Sequence, residues 1–214
     1  MITAIFDLDG TIADSIADLG NAVNYGLEQL GFPVHTETEY KKFVGNGAMK
    51  LCERALPDGN KDRTAELHKL FKEYYSQHLL DNTAVYDGMK ETMEKLSANG
   101  VKLAVATNKP EDAAKKIIAK LLPDTEFVKV LGGVDYRPKK PDAAIISEIL
   151  SELPKENKVW MIGDSNVDVQ TGKNAGVSVI GCLWGFRSRE ELETAGADFI
   201  AETPAQILEY ILKL

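Results

Sequence analysis

The sequence is short of positive charge, and this shortage excludes a class of partners. Its 25 Lys and Arg residues are outnumbered by 33 Asp and Glu residues, so the net charge at pH 7 is −8. The densest basic stretches are KDR at 61–63 and RPKK at 137–140. Binding to nucleic acid or to an anionic membrane requires a dense basic patch. We therefore expect neither as a partner.

Cysteines and long apolar segments are equally scarce. The two cysteines, Cys52 and Cys182, lie far apart in the chain, in helix-like and strand-like contexts. Buried thiols in a reducing cytosol, without a disulfide, are the simplest interpretation. No apolar run approaches the roughly 20 residues that span a bilayer, and the sequence opens on strand-like residues without a secretory signal. We expect a cytoplasmic protein.

Short apolar runs are what the chain does contain. With 214 residues, 44% of them hydrophobic, it can bury a sizeable core. Runs of consecutive apolar residues are typical of strands that helices cover on both faces. They occupy residues 2–6, 101–107, 127–133, 158–164, 177–183 and 198–201. Helix-like stretches that open with a proline and an acid, at 110–122 and 141–153, lie between them. This alternation predicts an α/β fold with a doubly wound, Rossmann-like parallel sheet.

Residues 15–81 interrupt the alternation. Apolar residues at steps of three and four predict helices over about 16–30, 49–56 and 67–78. We predict an inserted, small all-helical cap at 15–81 that covers the carboxyl edge of the sheet. Residues 1–14 and 82–214 then form the catalytic core.

Two acids end the first predicted strand, in the stretch IFDLDGT. Residues i and i+2 of a strand project to the same side, so Asp7 and Asp9 should share a face. Gly10 allows a tight turn whose amides can meet an anion. Taken alone, the pair is equally well explained as a polar Asp–Gly turn.

Other strand ends carry polar residues as well. Thr107 and Asn108 end the second run, Lys140 precedes a predicted helix, Asp164 ends the fourth run, and Asp168 follows four residues later. Each alone is more often structural than catalytic. Ligands of such sheets bind beyond the carboxyl ends of the strands. The set as a whole therefore indicates one site.

The chemistry of this set is that of phosphoryl transfer. Crowded carboxylates require a cation, and Mg²⁺ prefers oxygen ligands. Catalysis of phosphoryl transfer consists largely of positioning and charge neutralisation, which a magnesium ion and a lysine can supply. One carboxylate can attack phosphorus, and a second acid can protonate the leaving oxygen.

These segments resemble those of the phosphatases of the haloacid dehalogenase superfamily, and within it the phosphoglycolate phosphatases. The matching motifs are DLDGT at 7–11, TNK at 107–109, KPD at 140–142 and GDSNVD at 163–168. The resemblance extends over nearly the whole chain, although the cap is similar mainly in helical character and position. It implies Mg²⁺ as cofactor and a small phosphorylated metabolite as substrate.

The resemblance also implies roles for single residues. Asp7 is then the nucleophile and a magnesium ligand. Asp9 is the general acid and afterwards the base, and its backbone carbonyl also binds the metal. Thr107 and Lys140 hold the transferring phosphoryl group, and the amide of Asn108 lies nearby.

Two further acids complete the implied set. Asp164 is a magnesium ligand, and Asp168 either supports the metal site or orients Lys140. Lys139 is a neighbouring rival for the lysine role, but the KPD spacing favours Lys140. Ala143 stands where the family commonly has a proline, which should affect only the start of the helix.

Four positions carry weaker predictions about substrate specificity. The glycine-rich stretch with Gly45, Asn46 and Gly47 is either a simple helix connection or a specificity loop above the substrate. Arg187 can meet a substrate carboxylate or pair with an acid.

Several alternatives remain open at this point. Haloacid dehalogenases lack the second acid, and phosphonoacetaldehyde hydrolases typically have alanine there, so Asp9 favours a phosphate ester. A β-phosphoglucomutase-like phosphomutase and a pyrophosphatase share the same motifs. A phospho-aspartate signalling module of the response-regulator kind has its phosphorylated aspartate on a later strand, which disfavours it. The physiological substrate and the choice between monomer and homodimer are undetermined by the sequence.

Overall fold

The computed structural model describes residues 1–154 and 158–213, so residues 155–157 and 214 of the predicted core segment lie outside the described residues. The strands are β1 (Ile2–Phe6), β2 (Ala13–Asp14), β3 (Ala84–Val85), β4 (Lys102–Pro110), β5 (Phe127–Gly133), β6 (Lys158–Gly163), β7 (Ser178–Cys182) and β8 (Phe199–Ala201). The helices are α1 (Ile16–Gln29), α2 (Glu37–Phe43), α3 (Ala48–Ala55), α4 (Thr64–Tyr75), α5 (Met89–Ala98), α6 (Glu111–Leu121), α7 (Ala144–Leu150), α8 (Asn166–Asn174), α9 (Arg189–Ala195) and α10 (Pro204–Leu212).

Six strands form one parallel sheet in the order β5-β4-β1-β6-β7-β8. Ile5 of β1 lies opposite Ala104 of β4 and Met161 of β6. Apolar side chains pack on both faces of the sheet, and Ile5 and Phe6 belong to separate core clusters. Consecutive apolar residues in β1 are therefore all buried. The predicted doubly wound α/β fold is confirmed.

The strand and helix bounds differ from the prediction at two places near the sheet edge. Strand β4 continues past Thr107 to Pro110, because Pro110 pairs with Gly133 of β5 after an irregularity in register. Helix α7 begins at Ala144 rather than at Pro141. Asp142 accepts a hydrogen bond from the Ala144 amide at 2.8 Å, so this residue precedes the helix and satisfies its first turn.

A two-stranded antiparallel ribbon, β2 with β3, carries the chain out of the sheet region and back. The residues between these strands, 15–83, form helices α1 to α4 and are called the helical segment below. Helices α1 and α4 pack closely, since a side chain at Gly26 would lie 2.6 Å from Leu67. Helix α4 ends at Tyr75, so His78, which the prediction included in this helix, lies beyond its end and contacts Asp81.

Helix α2 was absent from the prediction, although the sequence contains its start signal. Thr36 and Glu39 form a reciprocal capping box at its N-terminus. No helix among the described residues is long and apolar enough to cross a bilayer.

Asp18 fastens the base of the helical segment. This buried carboxylate of α1 accepts from four donors, namely the backbone amides and the side chains of Asn82 and Thr83, at 2.6 to 3.0 Å. The Asn82 backbone amide is shared between both carboxylate oxygens. Burial alone would raise the pKa of Asp18, but these hydrogen bonds outweigh it and hold the pKa below its ordinary value. Helix α1 is thereby joined to the residues that immediately precede β3.

Candidate active site

The two acids that follow β1 both line the same cavity, whereas Leu8 between them is fully buried in the core. The Asp7 amide donates to the Ile162 carbonyl at 2.8 Å, which extends the sheet pairing to this residue. The prediction that Asp7 and Asp9 face the same space agrees with this placement.

Gly10 forms the tight turn that was predicted, but its own amide is not free to meet an anion. Its amide donates to the Ala13 carbonyl at 2.9 Å, so this amide is already engaged in the turn rather than free for phosphate. Its φ is +84°, and a Cβ at this position would lie 2.4 Å from an Asp164 carboxylate oxygen. Glycine is required here because the backbone approaches Asp164 too closely for any side chain.

Three buried carboxylates form a cluster at the sheet edge. Asp7, Asp164 and Asp168 each offer an oxygen, and these oxygens lie within 4.8 Å of one another. Burial raises the pKa of Asp7 to about 7, helped by repulsion from Asp168 and Asp9 and opposed by Lys140. Burial, together with repulsion from Asp168 and Asp7, raises the pKa of Asp164 as well. An oxygen-binding divalent cation would relieve this repulsion, so the donor set fits Mg²⁺.

Lys140 is the cation of the cluster. Its Nζ atom lies 3.0 Å from Asp7 and 2.6 Å from Asp168, and it donates to the Ala106 carbonyl at 2.9 Å. Burial would lower the pKa of Lys140, but the two carboxylates outweigh burial and hold it above the ordinary value. Lys139, the rival in sequence, lies beside Gly47 instead.

Asp168 has donors on both of its oxygens. One oxygen contacts Lys140, and the other accepts from the Ser165 amide at 3.1 Å and from the Ser165 hydroxyl at 2.6 Å. The contact with the Ser165 amide is part of the capping box of helix α8. The start of this helix therefore fixes the Asp168 carboxylate toward Lys140.

Asn108 joins three parts of the site. Its carbonyl oxygen accepts from the Lys140 amide at 2.9 Å, and its amide group donates to the carbonyls of Lys140 and Gly45, each at 3.0 Å. Thr107 is buried and lines the cavity beside it. The end of β4 is thus bonded both to the loop that carries Lys140 and to the helical segment.

A second buried lysine was not identified from the sequence. Lys109 Nζ contacts the Asp9 carboxylate at 2.9 and 3.3 Å and donates to the Tyr75 hydroxyl at 2.6 Å. Ser15 also donates to Asp9, at 2.6 Å. Burial would lower the pKa of Lys109, but Asp9 and Tyr75 outweigh burial and hold it above the ordinary value. The TNK motif contains Lys109, but no sequence signal links it to Tyr75.

The cavity has a volume of about 390 Å³ and lies between the strand ends and the helical segment. The wall from the helical segment is largely apolar and includes Leu19, Leu51, Phe71, Tyr75 and Leu79. Of the predicted specificity positions, Gly45 and Gly47 line the cavity. The Asn46 side chain accepts from Arg54 at 2.7 Å instead.

Arg187 bridges the two sides of the cavity. Its guanidinium donates to the carbonyls of Lys41 and Val44, the latter at 2.7 Å, and lies 3.3 Å from Glu191. Pairing with an acid, one of the two predicted interpretations, is therefore present. Arg187 also lines the cavity.

The chain is similar to known proteins over almost its full length. Residues 4–182 match the family model described as haloacid dehalogenase-like hydrolase. A phosphoglycolate phosphatase from Vibrio parahaemolyticus is 33% identical over 214 residues, covering 96% of this chain and 94% of that protein. One from Aquifex aeolicus is 31% identical, covering 98% of this chain and 96% of that protein. A crystal structure from Lactobacillus delbrueckii subsp. bulgaricus is 33% identical, with a TM-score of 0.91, and covers 98% of this chain and 97% of that chain.

Proposed function

The chain belongs to the haloacid dehalogenase-like hydrolase family, and from this premise we propose that it is a magnesium-dependent phosphomonoester hydrolase. We propose a small phosphorylated metabolite of the phosphoglycolate type as substrate, since relatives of this length carry that name. The observation that supports the proposal most is that Asp7 and Asp9 line one cavity while the buried ammonium group of Lys140 lies 3.0 Å from Asp7.

Asp7 is the proposed nucleophile. Its carboxylate attacks phosphorus, a bond forms between an Asp7 oxygen and phosphorus, and the ester P–O bond breaks. The departing oxygen takes a proton from Asp9. Asp9 then removes a proton from water, and this water attacks phosphorus, releasing inorganic phosphate and restoring Asp7.

The transferring phosphoryl group is held by the proposed set of Lys140, the Thr107 hydroxyl and the backbone amide of Asn108. Lys140 is preorganised for this role because its contacts with Asp7, Asp168 and Ala106 fix its ammonium group at the cluster. A fixed positive charge in a buried site stabilises developing negative charge without reorganisation.

A magnesium ion, when bound, would supply positive charge to the phosphoryl oxygens. We propose that Asp7, Asp164 and the Asp9 carbonyl would hold it. For Asp168 we propose orientation of Lys140 rather than direct metal binding, because both of its oxygens already accept hydrogen bonds.

We further propose the division of the chain that the sequence suggested, with 1–14 and 82–214 as the catalytic core and 15–81 as the cap. The ribbon of β2 and β3 and the Asp18 contacts at its base support these limits. The free, buried thiols of Cys52 and Cys182 agree with the cytoplasmic location that we propose.

A panel of phosphomonoesters assayed with and without Mg²⁺ tests the function. We expect magnesium-dependent release of inorganic phosphate, with 2-phosphoglycolate among the best substrates. Conversion of glucose 1-phosphate to glucose 6-phosphate would identify a phosphomutase, and preferential cleavage of pyrophosphate would identify a pyrophosphatase. Either result would replace the proposal, as would the absence of phosphate release from every ester.

A further inference from the structure

Each acid that follows β1 has its own buried lysine. Lys140 contacts Asp7, and Lys109 contacts Asp9. The lysines differ in their remaining partners. Lys140 is held by Asp168 and Ala106, which both belong to the sheet region, whereas Lys109 donates to Tyr75 of helix α4 at 2.6 Å.

Lys109 and Ser15 together hold the Asp9 carboxylate, and Lys109 is the one that contacts both of its oxygens. One carboxylate oxygen accepts from Ser15 at 2.6 Å and from Lys109 at 2.9 Å, and the other has only the longer Lys109 contact of 3.3 Å among the described residues. This less engaged oxygen is the one available for proton exchange with a substrate. Because a buried ammonium group without a partner is costly, Lys109 and Asp9 are held together.

The Tyr75 side chain fixes the other end of Lys109. Its hydroxyl accepts from the ammonium group, and Nζ lies 4.8 Å from the centre of its ring, within the range of a cation–π contact. Tyr75 and Lys109 are both buried. A continuous chain of contacts therefore runs from the helical segment through Lys109 to Asp9.

We propose that Lys109 is a positioning residue that aligns Asp9 for proton transfer and makes this alignment depend on the contact with Tyr75. The inference rests on the proposed role of Asp9 as general acid. It goes beyond that role by assigning the alignment of the acid to a lysine of β4 and a tyrosine of the helical segment.

The test uses the dependence of general-acid catalysis on the leaving group. An alkyl phosphate requires protonation of its leaving oxygen, whereas p-nitrophenyl phosphate has a good leaving group and requires it little. The ratio of kcat/KM for the alkyl ester to that for the aryl ester therefore reports the function of the acid. General-acid catalysis contributes on the order of 10²- to 10⁴-fold. We expect Lys109→Met to lower this ratio about tenfold, and Tyr75→Phe to lower it by a smaller factor.

Further variants separate the possible explanations. Lys109→Arg should restore part of the ratio, and Lys120→Met, which removes an exposed lysine of helix α6 that does not line the cavity, should leave it unchanged. Asp9→Asn should lower the ratio at least as much as Lys109→Met, and the double variant should lower it no further. Non-additivity of this kind is expected when one residue acts through the other.

Three results would overturn the inference. Equal losses for both esters, with a lower Tm, would make Lys109 a structural residue. A loss confined to alkyl phosphates that carry a carboxylate would make it a substrate ligand. If Asp9→Asn itself leaves the ratio unchanged, the proposed general acid is wrong and the inference fails with it. If Lys109→Met does not fold, the kcat/KM ratios of Tyr75→Phe and Lys109→Arg test the inference instead. A lowered ratio in Tyr75→Phe supports it, and an unchanged ratio in both variants overturns it.

Discussion

The two walls of the cavity differ in how they are built. At the sheet edge, Asp7 lines the cavity, and buried charges lie in direct contact behind it, with Lys140 between Asp7 and Asp168. The wall from the helical segment is largely apolar. Two hydroxyl groups of this segment contact charged site residues, since Tyr75 accepts from Lys109 and Ser15 donates to Asp9. Charge is thus concentrated where a phosphorus–oxygen bond would break. The opposite wall contributes mainly shape.

This difference follows from how each wall is supported. Backbone pairing in the sheet fixes the residues at the ends of β1 and β6, since Phe6 pairs with both Val105 and Ile162. The helical segment is joined to the sheet region through two strands of two residues each. We therefore expect substitutions at the sheet edge to lower turnover of every substrate. Substitutions in the helical wall should change the preference among substrates.

Asp7→Asn is expected to have the largest effect. Loss of the nucleophile should reduce kcat by on the order of 10⁴-fold or more for all substrates. The fold should survive, because burial already disfavours the charged form of Asp7. Phosphate release and thermal unfolding of the purified variant check both expectations. Asp14→Asn, a change of an exposed acid nearby, is the matched control, and substantial turnover by Asp7→Asn would refute the assignment.

Asp168→Asn should have the next largest effect. Lys140 loses the charge of a partner 2.6 Å away, so we expect kcat to fall about 100-fold and the free energy of unfolding to fall by about 3 kcal/mol. Asp198→Asn is the control, since Asp198 forms an equally short but partly exposed ion pair with Lys173. Asp198→Asn should keep full turnover, and its free energy of unfolding should fall by about 1 kcal/mol or less. Matching losses of turnover in both variants would contradict the proposed role.

Gly10→Ala tests the close approach to Asp164. The new Cβ would lie 2.4 Å from an Asp164 oxygen, so this carboxylate must move. We expect the Mg²⁺ concentration for half-maximal activity to rise about tenfold, equivalent to roughly 1.4 kcal/mol. Gly31→Ala has a similar positive φ but no atom within 4 Å, and it should reproduce only the backbone strain. If Gly10→Ala required the same Mg²⁺ concentration for half-maximal activity as wild type, the proposed binding of Mg²⁺ by Asp164 would be contradicted.

Gly47→Ala tests the helical wall. Its Cβ would lie 3.3 Å from the Asn108 carbonyl and 3.2 Å from Lys139 Nζ. We expect the relative kcat/KM among phosphomonoesters to change severalfold, while turnover of the best substrate falls little. Gly59→Ala is the control, because it shares a positive φ and has no neighbour within 4 Å. Identical substrate profiles for wild type and Gly47→Ala would remove this turn from the substrate site.

Asp18→Asn should affect stability more than turnover. We expect the free energy of unfolding to fall by about 2 kcal/mol at pH 7, because a carboxylate that accepts hydrogen bonds from buried donors is removed. The folded pKa of Asp18 lies below its unfolded value of about 3.9. Its stabilisation is therefore fully present above that unfolded value and is lost as the pH falls through the folded pKa. Urea unfolding at several pH values should show that the free energies of unfolding of wild type and variant converge in acid. A difference between the two free energies that stays constant with pH would contradict this account.

The same comparison explains what the sequence could and could not predict. Asp7, Thr107 and Asp164 were found because parallel strands bring their carboxyl ends to one edge, which is a property of topology. The contact of Lys109 with Tyr75 joins residues 34 positions apart, across a helix whose rotation depends on side-chain packing. Periodicity predicted a helix over about 67–78 but gave no role to Tyr75.

Other misses had a local cause. Helix α2 is only seven residues long, so its apolar pattern is weak. The sequence does contain its capping box, which begins at Thr36. The ribbon of β2 and β3 has two residues on each side, too few for an alternating pattern. The early start assigned to α7 followed from reading Pro141 as its first residue, whereas the Asp142 side chain delays the helix by three positions.

The ribbon of β2 and β3 has a consequence for how such proteins can diverge. The chain leaves at Ala13 and returns at Val85, and these residues are direct partners across the ribbon. An insertion whose two ends meet can change in length, or be replaced by another, without shifting the register of a single strand in the sheet. Selection for a new substrate can therefore act on the helices alone, while the groups that cleave the phosphate ester are inherited unchanged.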